Sequence, residues 1–216
     1  MRFAFTEEQE ELRAMARAFL ADHSGPDQVR AAMGSELGHD TEVWKRIGAE
    51  LGWPAVIVPE AHGGLGLSWV DLIALLEVCG ESLLCSPLFA SVALGANTLL
   101  LAASEPQLAA HLPGIAEGQT RATLAHAEAS GRWDAAGVDT VCRRDGDTWV
   151  LTGGKRHVLD GHCADLLVVS AREAGTEGAE GISLFAVPAG TEGLERRQLS
   201  TMDRTRRLST LDLRDV

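Results

Sequence analysis

Four cysteines, Cys79, Cys85, Cys142 and Cys163, are the residues of this chain best suited to metal or redox chemistry, yet they form no CxxC pair and show no metal-ligand spacing. Thiols placed this way read as reduced and mostly buried, in a protein of a reducing, cytosolic compartment. His62 and His111 fall in turns without a partner at ligand spacing, so no metal site is expected. Glu128 and Asp134 make no recognisable acid/base pair. The string Gly63-Gly64-Leu65-Gly66 lacks the G-K-[ST] ending of a phosphate loop and follows no βαβ strand; its glycines are read as turn glycines. Residue types and spacing alone assign no catalytic side chain.

The bulk of the chain narrows the classes it can belong to. Its 216 residues suffice for one large or two small domains, and 45% hydrophobic with 23% charged residues is the balance of a globular protein. A net charge of −12 argues against nucleic-acid binding, which calls for a basic patch or stripe. The amino terminus, Met1 to Thr6, has no apolar core of the signal-peptide kind. The longest uncharged stretch, Pro87 to Ser104, is short for a membrane span and carries Ser91, Asn97 and Thr98; it reads as a helix buried in protein.

The elements that would position any site divide at about Gly118. Before it, apolar residues recur at helical period. Thr6 with Gln9 is a capping-box signature, and Leu12, Met15, Ala16, Phe19 and Leu20 follow on one face. A short helix is expected from Pro26 to near Gly34, and a third after Asp40 that buries Val43, Trp44, Ile47 and Leu51 and stops at Gly52. Ser68 and Asp71 cap a fourth, with Leu72, Ile73, Leu76, Cys79 and Leu83 as its stripe; beyond Pro87 lies a fifth, apolar all round and therefore central. A last short helix covers Glu105 to Leu112.

After Gly118 the period is two. Thr120 to His126 reads as a strand, and Val138 to Arg144, Asp145-Gly146-Asp147 and Thr148 to Thr152 read as a hairpin. Leu166 to Ala171, Ile182 to Val187, Leu194 to Leu199 and Arg207 to Val216 supply further strands, with Glu173 to Gly181 as a surface loop. The expected fold is therefore α+β: an all-α domain over 1–118, then a small antiparallel β barrel or sandwich over 119–216. The alternation Ser209 to Val216 stops without a terminator, which suggests a longer polypeptide.

Helices followed by strands, joined by particular motifs, resemble the acyl-CoA dehydrogenase family. The motifs are Trp44 with Leu51-Gly52-Trp53, and Pro59-Glu60-Ala61-His62-Gly63-Gly64-Leu65-Gly66-Leu67, similar to a "PEE-GG-GL" turn. Leu112-Pro113-Gly114-Ile115-Ala116-Glu117-Gly118, Asp145 to Lys155 and Cys163-Ala164-Asp165 continue the likeness over essentially the whole chain. The divergence looks like that of actinobacterial members acting in sterol or fatty-acid degradation.

The resemblance implies an FAD-dependent enzyme that oxidises the Cα–Cβ bond of an acyl-CoA thioester and passes electrons to an electron-transfer flavoprotein or a similar acceptor. The catalytic carboxylate would come from a carboxyl-terminal four-helix domain absent from this chain, so no residue here is assigned that role. Two segments carry flavin in the family. The one ending in a "TEP" turn lines up with Leu124-Ala125-His126-Ala127-Glu128, and the "W-I-T-N" segment with His157-Val158-Leu159-Asp160. Backbone amides there can bond the isoalloxazine edge whatever the side chain. Leu124, His126, Ala127, Glu128, His157 and Leu159 are therefore the expected cofactor contacts.

Departures from the pattern are informative. Ala127 and Leu159 each replace a threonine hydroxyl, His157 replaces tryptophan, and Ser130-Gly131-Arg132-Trp133-Asp134 stands where "G-S-D" is usual. Each lost hydroxyl forfeits about 0.5–1.5 kcal/mol where a hydrogen bond is gone. The resemblance thus leaves three readings. The first is a dehydrogenase present as its amino-terminal two-thirds. The second is a non-catalytic partner subunit of a heteromeric dehydrogenase, and the third an acyl-CoA oxidase or flavin monooxygenase of the same fold. In each the whole protein is expected to be a homo- or hetero-oligomer.

Overall fold

Thr6 opens the first helix as its sequence demands: its hydroxyl accepts from the Gln9 amide at 3.3 Å while the Gln9 side chain accepts from the Thr6 amide at 3.0 Å. The computed structural model describes residues 4–216; Met1–Phe3, part of the amino-terminal stretch read above, lie outside the described residues. Helix α1 (Glu7–His23) packs on α4 (Trp69–Glu81), itself closed by the reciprocal Ser68/Asp71 cap. Between them come α2 (Pro26–Gly34) and α3 (Thr41–Ala49), the latter started by Asp40, whose carboxylate accepts from the Glu42 and Val43 amides. Leu20, Trp44, Ile47, Leu72, Leu75, Val78 and Leu88 form the core of this helical layer.

Two helical stripes differ from expectation. On α4 the buried face is Leu72, Leu75, Val78 and Cys79, whereas Ile73 is 54% and Leu83 57% exposed. Leu83 lies past the helix end with φ 49°, which turns it out of the stripe. The segment after Pro87 is not one α-helix. It is π-helical over Ala90–Ala96 and continues as α5 (Asn97–Ala102). Leu88, Val92, Ala96 and Leu99 are buried, but Leu101 is 80% exposed, so the segment is not enclosed on every side. Helix α6 (Glu105–Ala116) runs four residues beyond the expected stop, accommodates Pro113, and carries His111, which therefore lies in a helix and not in a turn.

The second layer is a curled seven-stranded sheet: β1 (Ala122–Ala125), β2 (Val141–Asp145), β3 (Thr148–Leu159), β4 (Leu166–Glu173), β5 (Ile182–Pro188), β6 (Leu194–Gln198) and β7 (Leu208–Leu213). The order is β1-β4-β2-β3-β7-β6, with β5 also on β4. Pairings are antiparallel except that β1 and β2 run parallel to β4. The expected hairpin is present, but its second limb continues through Gly153-Gly154-Lys155 to Leu159. At Gly153 a Cβ would stand 2.7 Å from the Thr140 Cα, so this glycine permits close approach of two backbones rather than a turn. Val138 lies outside β2, in a loop.

Several polar contacts seat the sheet against the helices. Trp44 donates from Nε1 to the Gly118 carbonyl at 2.9 Å, and the Ala122 amide donates to Ser91 Oγ at 3.2 Å. Just before β7, Arg206 donates to the Leu84 carbonyl at 2.7 Å beyond the end of α4, while Arg207 donates to the Met33 and Ser35 carbonyls at 2.7 and 3.0 Å at the end of α2. Cations at helix carboxyl ends meet both unpaired carbonyls and the negative end of the dipole. Replacing Trp44 with Phe removes the donor to Gly118 and part of the ring buried in the helical core; a loss of about 1–3 kcal/mol in urea denaturation is expected.

Candidate functional site

The two segments Leu124–Glu128 and His157–Asp160 meet at one seam of the curled sheet. β1 pairs with β4 only through Ala125, opposite Val169. Past that point the chain crosses to β3: the Arg156 amide donates to the Ala127 carbonyl at 2.8 Å, and Thr123 Oγ1 donates to the Leu159 carbonyl at 2.7 Å. The two contacts run in antiparallel sense, so residues 124–128 and 156–159 lie side by side. Behind the seam Lys155 Nζ donates to Glu128 Oε1 at 2.5 Å, to Ser170 Oγ at 3.0 Å and to the His126 carbonyl at 3.4 Å.

The six expected contact residues do not present themselves alike. Leu124 is half-buried and packs on the apolar cluster of Ala96, Leu99 and Ile115. His126 is half-buried; burial and the nearby Lys155 charge hold its imidazole below the ordinary value, hence neutral near pH 7. Ala127 is buried. The Glu128 carboxylate points inward, where Lys155 and the Asp139 and Thr140 amides occupy it, leaving only its backbone for any ligand. His157 is exposed with φ 55°, at a β-bulge where the β3–β7 register shifts between Lys155 and Val158. A bulge re-aims the side chain it carries, and a non-glycine residue in this backbone region marks a position held by its surroundings. Leu159 is half-buried.

Two features here were not assigned from the sequence. Trp133 is 81% exposed and stands edge-on to His126, ring centroids 5.5 Å apart. Its loop is tied by Arg132 to Asp134 at 2.7 Å and by Arg172, which donates to the Ala135 carbonyl at 2.9 Å. The other feature is the meeting of Asp160, His162 and Cys163 in the turn after β3. No recognised ligand motif has that spacing, so only the folded turn reveals it. A cavity of about 690 Å³ among α1, α2 and α3, lined by His23, Leu37, His39 and Cys85, touches none of the six residues. All four cysteines are free and buried, and burial pushes Cys79 and Cys163 up to about 12.

A helical layer leading into a curled β domain with this seam is the amino-terminal and middle architecture of one class of flavoprotein-related folds. The acyl-CoA dehydrogenase N-terminal domain profile matches residues 6–119 and the acyl-CoA dehydrogenase middle domain profile matches 123–216; the chain belongs to the acyl-CoA dehydrogenase family. It is 34% identical over 119 residues to acyl-CoA dehydrogenase IpdE2 of Mycolicibacterium smegmatis, covering 55% of this chain and 37% of that protein. Among solved structures, a variant of the Tcur3481-Tcur3483 steroid ACAD superposes with TM-score 0.84 at 32% identity, over 97% of this chain and 55% of that one. The ChsE4-ChsE5 complex of Mycobacterium tuberculosis gives TM-score 0.85 at 25% identity, over 100% and 56%. The chain thus spans about half the length, or less, of the relatives it matches. Among the described residues no helix is long and apolar enough to cross a membrane.

Proposed function

We propose that this chain is the amino-terminal part of an FAD-dependent acyl-CoA dehydrogenase, with domains 1–118 and 119–216, acting in the cytoplasm within a homo- or hetero-oligomer. The observation that carries this reading is the seam itself. The Arg156–Ala127 bond of 2.8 Å and the Thr123–Leu159 bond of 2.7 Å align the two backbone segments that the family uses for flavin. Ala127 and Leu159 offer no hydroxyl, so the fit to FAD rests on backbone amides of these strands, with His157 flanking the ring. When bound, FAD supplies the hydride acceptor for α,β-oxidation of an acyl-CoA, whose electrons then pass to an electron-transfer flavoprotein or similar acceptor. No residue of this chain is assigned as the base. In the family that carboxylate lies in the carboxyl-terminal domain.

FAD fluorescence titration of the full-length protein, with its natural partner present, tests the seam. Leu159→Thr restores a donor worth on the order of 1 kcal/mol and is expected to tighten FAD about fivefold. His157→Ala is expected to weaken it. Unchanged affinity in both variants would remove flavin from this surface.

A second reading is favoured by one observation: neither seam segment supplies a side-chain hydroxyl, while Trp133 stands exposed beside it. On that reading the chain belongs to a non-catalytic subunit paired with a complete homologue, a heteromeric arrangement consistent with the similarity to the ChsE4-ChsE5 complex. An oxidase or flavin monooxygenase of the same fold would differ from the first reading by consuming oxygen during turnover.

A further inference from the structure

The turn that ends β3 carries three donors of different chemistry on four residues. A carboxylate oxygen of Asp160, a ring nitrogen of His162 and the sulfur of Cys163 all lie within 4.8 Å of one another. Asp160 is 8% exposed, yet its Oδ2 is buried without a hydrogen-bond partner. An unpartnered buried carboxylate oxygen is costly, and such groups call for an explanation.

The geometry of His162 points the same way. Its Nε2 lies 3.0 Å from the Leu37 carbonyl, and a carbonyl can only accept, so Nε2 carries the hydrogen. In the neutral ring Nδ1 is then a bare lone pair, and Nδ1 is buried with no partner. Burial, with Arg207, Arg196 and Arg121 nearby, keeps the ring below its ordinary value. A histidine that gives one N–H to a backbone carbonyl and keeps its other nitrogen without a partner, in a turn shared with an aspartate and a cysteine, has the arrangement of a metal ligand.

The turn is also held in shape. Arg196 Nη1 donates to the Gly161 and Ala164 carbonyls at 3.2 and 2.8 Å, and the Cys163 and Ala164 amides donate to the Asp160 carbonyl at 3.1 and 3.0 Å. The Asp160 amide donates to the Arg207 carbonyl at 2.8 Å.

We propose that Asp160, His162 and Cys163 bind one divalent transition-metal ion of the zinc class, pinning the β3–β4 turn to the α2–α3 loop through the Leu37 carbonyl. One oxygen, one nitrogen and one sulfur donor suit a borderline-soft ion rather than calcium or magnesium. With zinc–nitrogen bonds of about 2.0–2.1 Å and a zinc–sulfur bond of about 2.3 Å, donors on one ion stand closer than 4.8 Å, so the turn contracts on binding. Binding takes Asp160 as its carboxylate and releases to solvent the Cys163 thiol proton and any proton held on Asp160, so two ligand charges balance the ion's two. The surrounding arginines have other acceptors: Arg121 is bidentate on Asp165, Arg206 holds the Leu84 carbonyl, and Arg207 holds those of Met33 and Ser35. Their positive field still opposes a cation, so micromolar rather than picomolar affinity is expected. A second imidazole stands on the same carbonyl: His39 Nδ1 lies 3.1 Å from Leu37 O, and its buried Nε2 has no partner.

The test uses full-length protein freed of metal and titrated with Co²⁺, then Zn²⁺. One equivalent of Co²⁺ should produce thiolate-to-cobalt charge-transfer absorption in the near ultraviolet, which Zn²⁺ abolishes. Cys163→Ser should lose that band, distinguishing this sulfur from Cys79, Cys85 and Cys142. Asp160→Asn should keep the fold by circular dichroism and bind at least tenfold more weakly. Zn²⁺ should raise the Tm of the unmodified protein and not that of Asp160→Asn. If Cys163→Ser fails to fold, the Asp160→Asn comparison decides alone. Absence of the band in the unmodified protein, its survival in Cys163→Ser, or undiminished affinity in Asp160→Asn overturns the proposal. Asp160 is then a protonated acid set among arginines.

Discussion

Replacing Lys155 with Met is expected to destabilise the protein by about 3–5 kcal/mol, because it leaves a buried carboxylate without its cation. Lys155 is fully buried, 2.5 Å from Glu128, which is itself 4% exposed. Burial pulls the Lys155 ammonium down from its ordinary value, against the pull of Glu128. Burial pushes the Glu128 carboxyl up, but Lys155 and the Thr140 amide outweigh it and the group ends below its usual range. The Glu128 carboxyl is therefore ionised beside Lys155, and the pair's remaining capacity is spent on Ser170, the His126 carbonyl and the Asp139 and Thr140 amides. Glu128→Gln in the Lys155→Met background removes the stranded charge and keeps an oxygen for those amides. The double variant should recover part of the loss, which denaturant midpoints would register. A single-variant loss below 1 kcal/mol would mean that water reaches the carboxylate.

Gly64→Ala should be comparably damaging, for a steric reason. A Cβ at Gly64 would stand 1.8 Å from the Val58 carbonyl oxygen and 2.3 Å from its carbon, and both are backbone atoms. They cannot retreat, since the strap is bonded along its length. Leu65 N–H donates to Ala55 O at 2.9 Å, Gly66 N–H to Val58 O at 2.8 Å and Leu67 N–H to Val56 O at 2.9 Å. A loss of more than about 3 kcal/mol is expected. The adjacent Gly63→Ala meets open space and suffers only from its φ of +81°, a strain of about 1–2 kcal/mol. Equal midpoints for the two variants would contradict this distinction.

That contrast shows what could be read before folding and what could not. Gly63 and Gly66 were legible as turn glycines because positive φ is a local demand. Gly64 looks the same in the chain, but its requirement comes from Val58, six residues away and folded back onto it. The caps at Thr6 and Ser68 were legible because they join residues three apart, and the change of period near Gly118 because alternation is local. The length of β3 was not. Gly153-Gly154-Lys155 carries the look of a turn, and only Thr140 beside Gly153 and Glu128 around Lys155 make it a strand interior. Of the seam, the two segments were legible through their motifs. The inward Glu128, the bulge at His157 and the convergence of Asp160, His162 and Cys163 depend on partners far along the chain.

The paired arginines ahead of β7 carry a consequence for chain length. Arg206 reaches Leu84 and Arg207 reaches Met33 and Ser35, so neighbouring residues are sent to the ends of two different helices. The stretch from Ser200 to Arg207 has no regular structure and includes the fully exposed Met202, the profile of a connection that ordinarily accepts insertions and deletions. Here a one-residue slip would move both side chains the same way along the chain and carry at least one guanidinium off the carbonyls it now holds. Substitutions at Thr201, Met202 and Arg204 leave that assignment intact. The connection is therefore free in composition and fixed in count, and a library that varies its length will lose folded members faster than one that varies its residues.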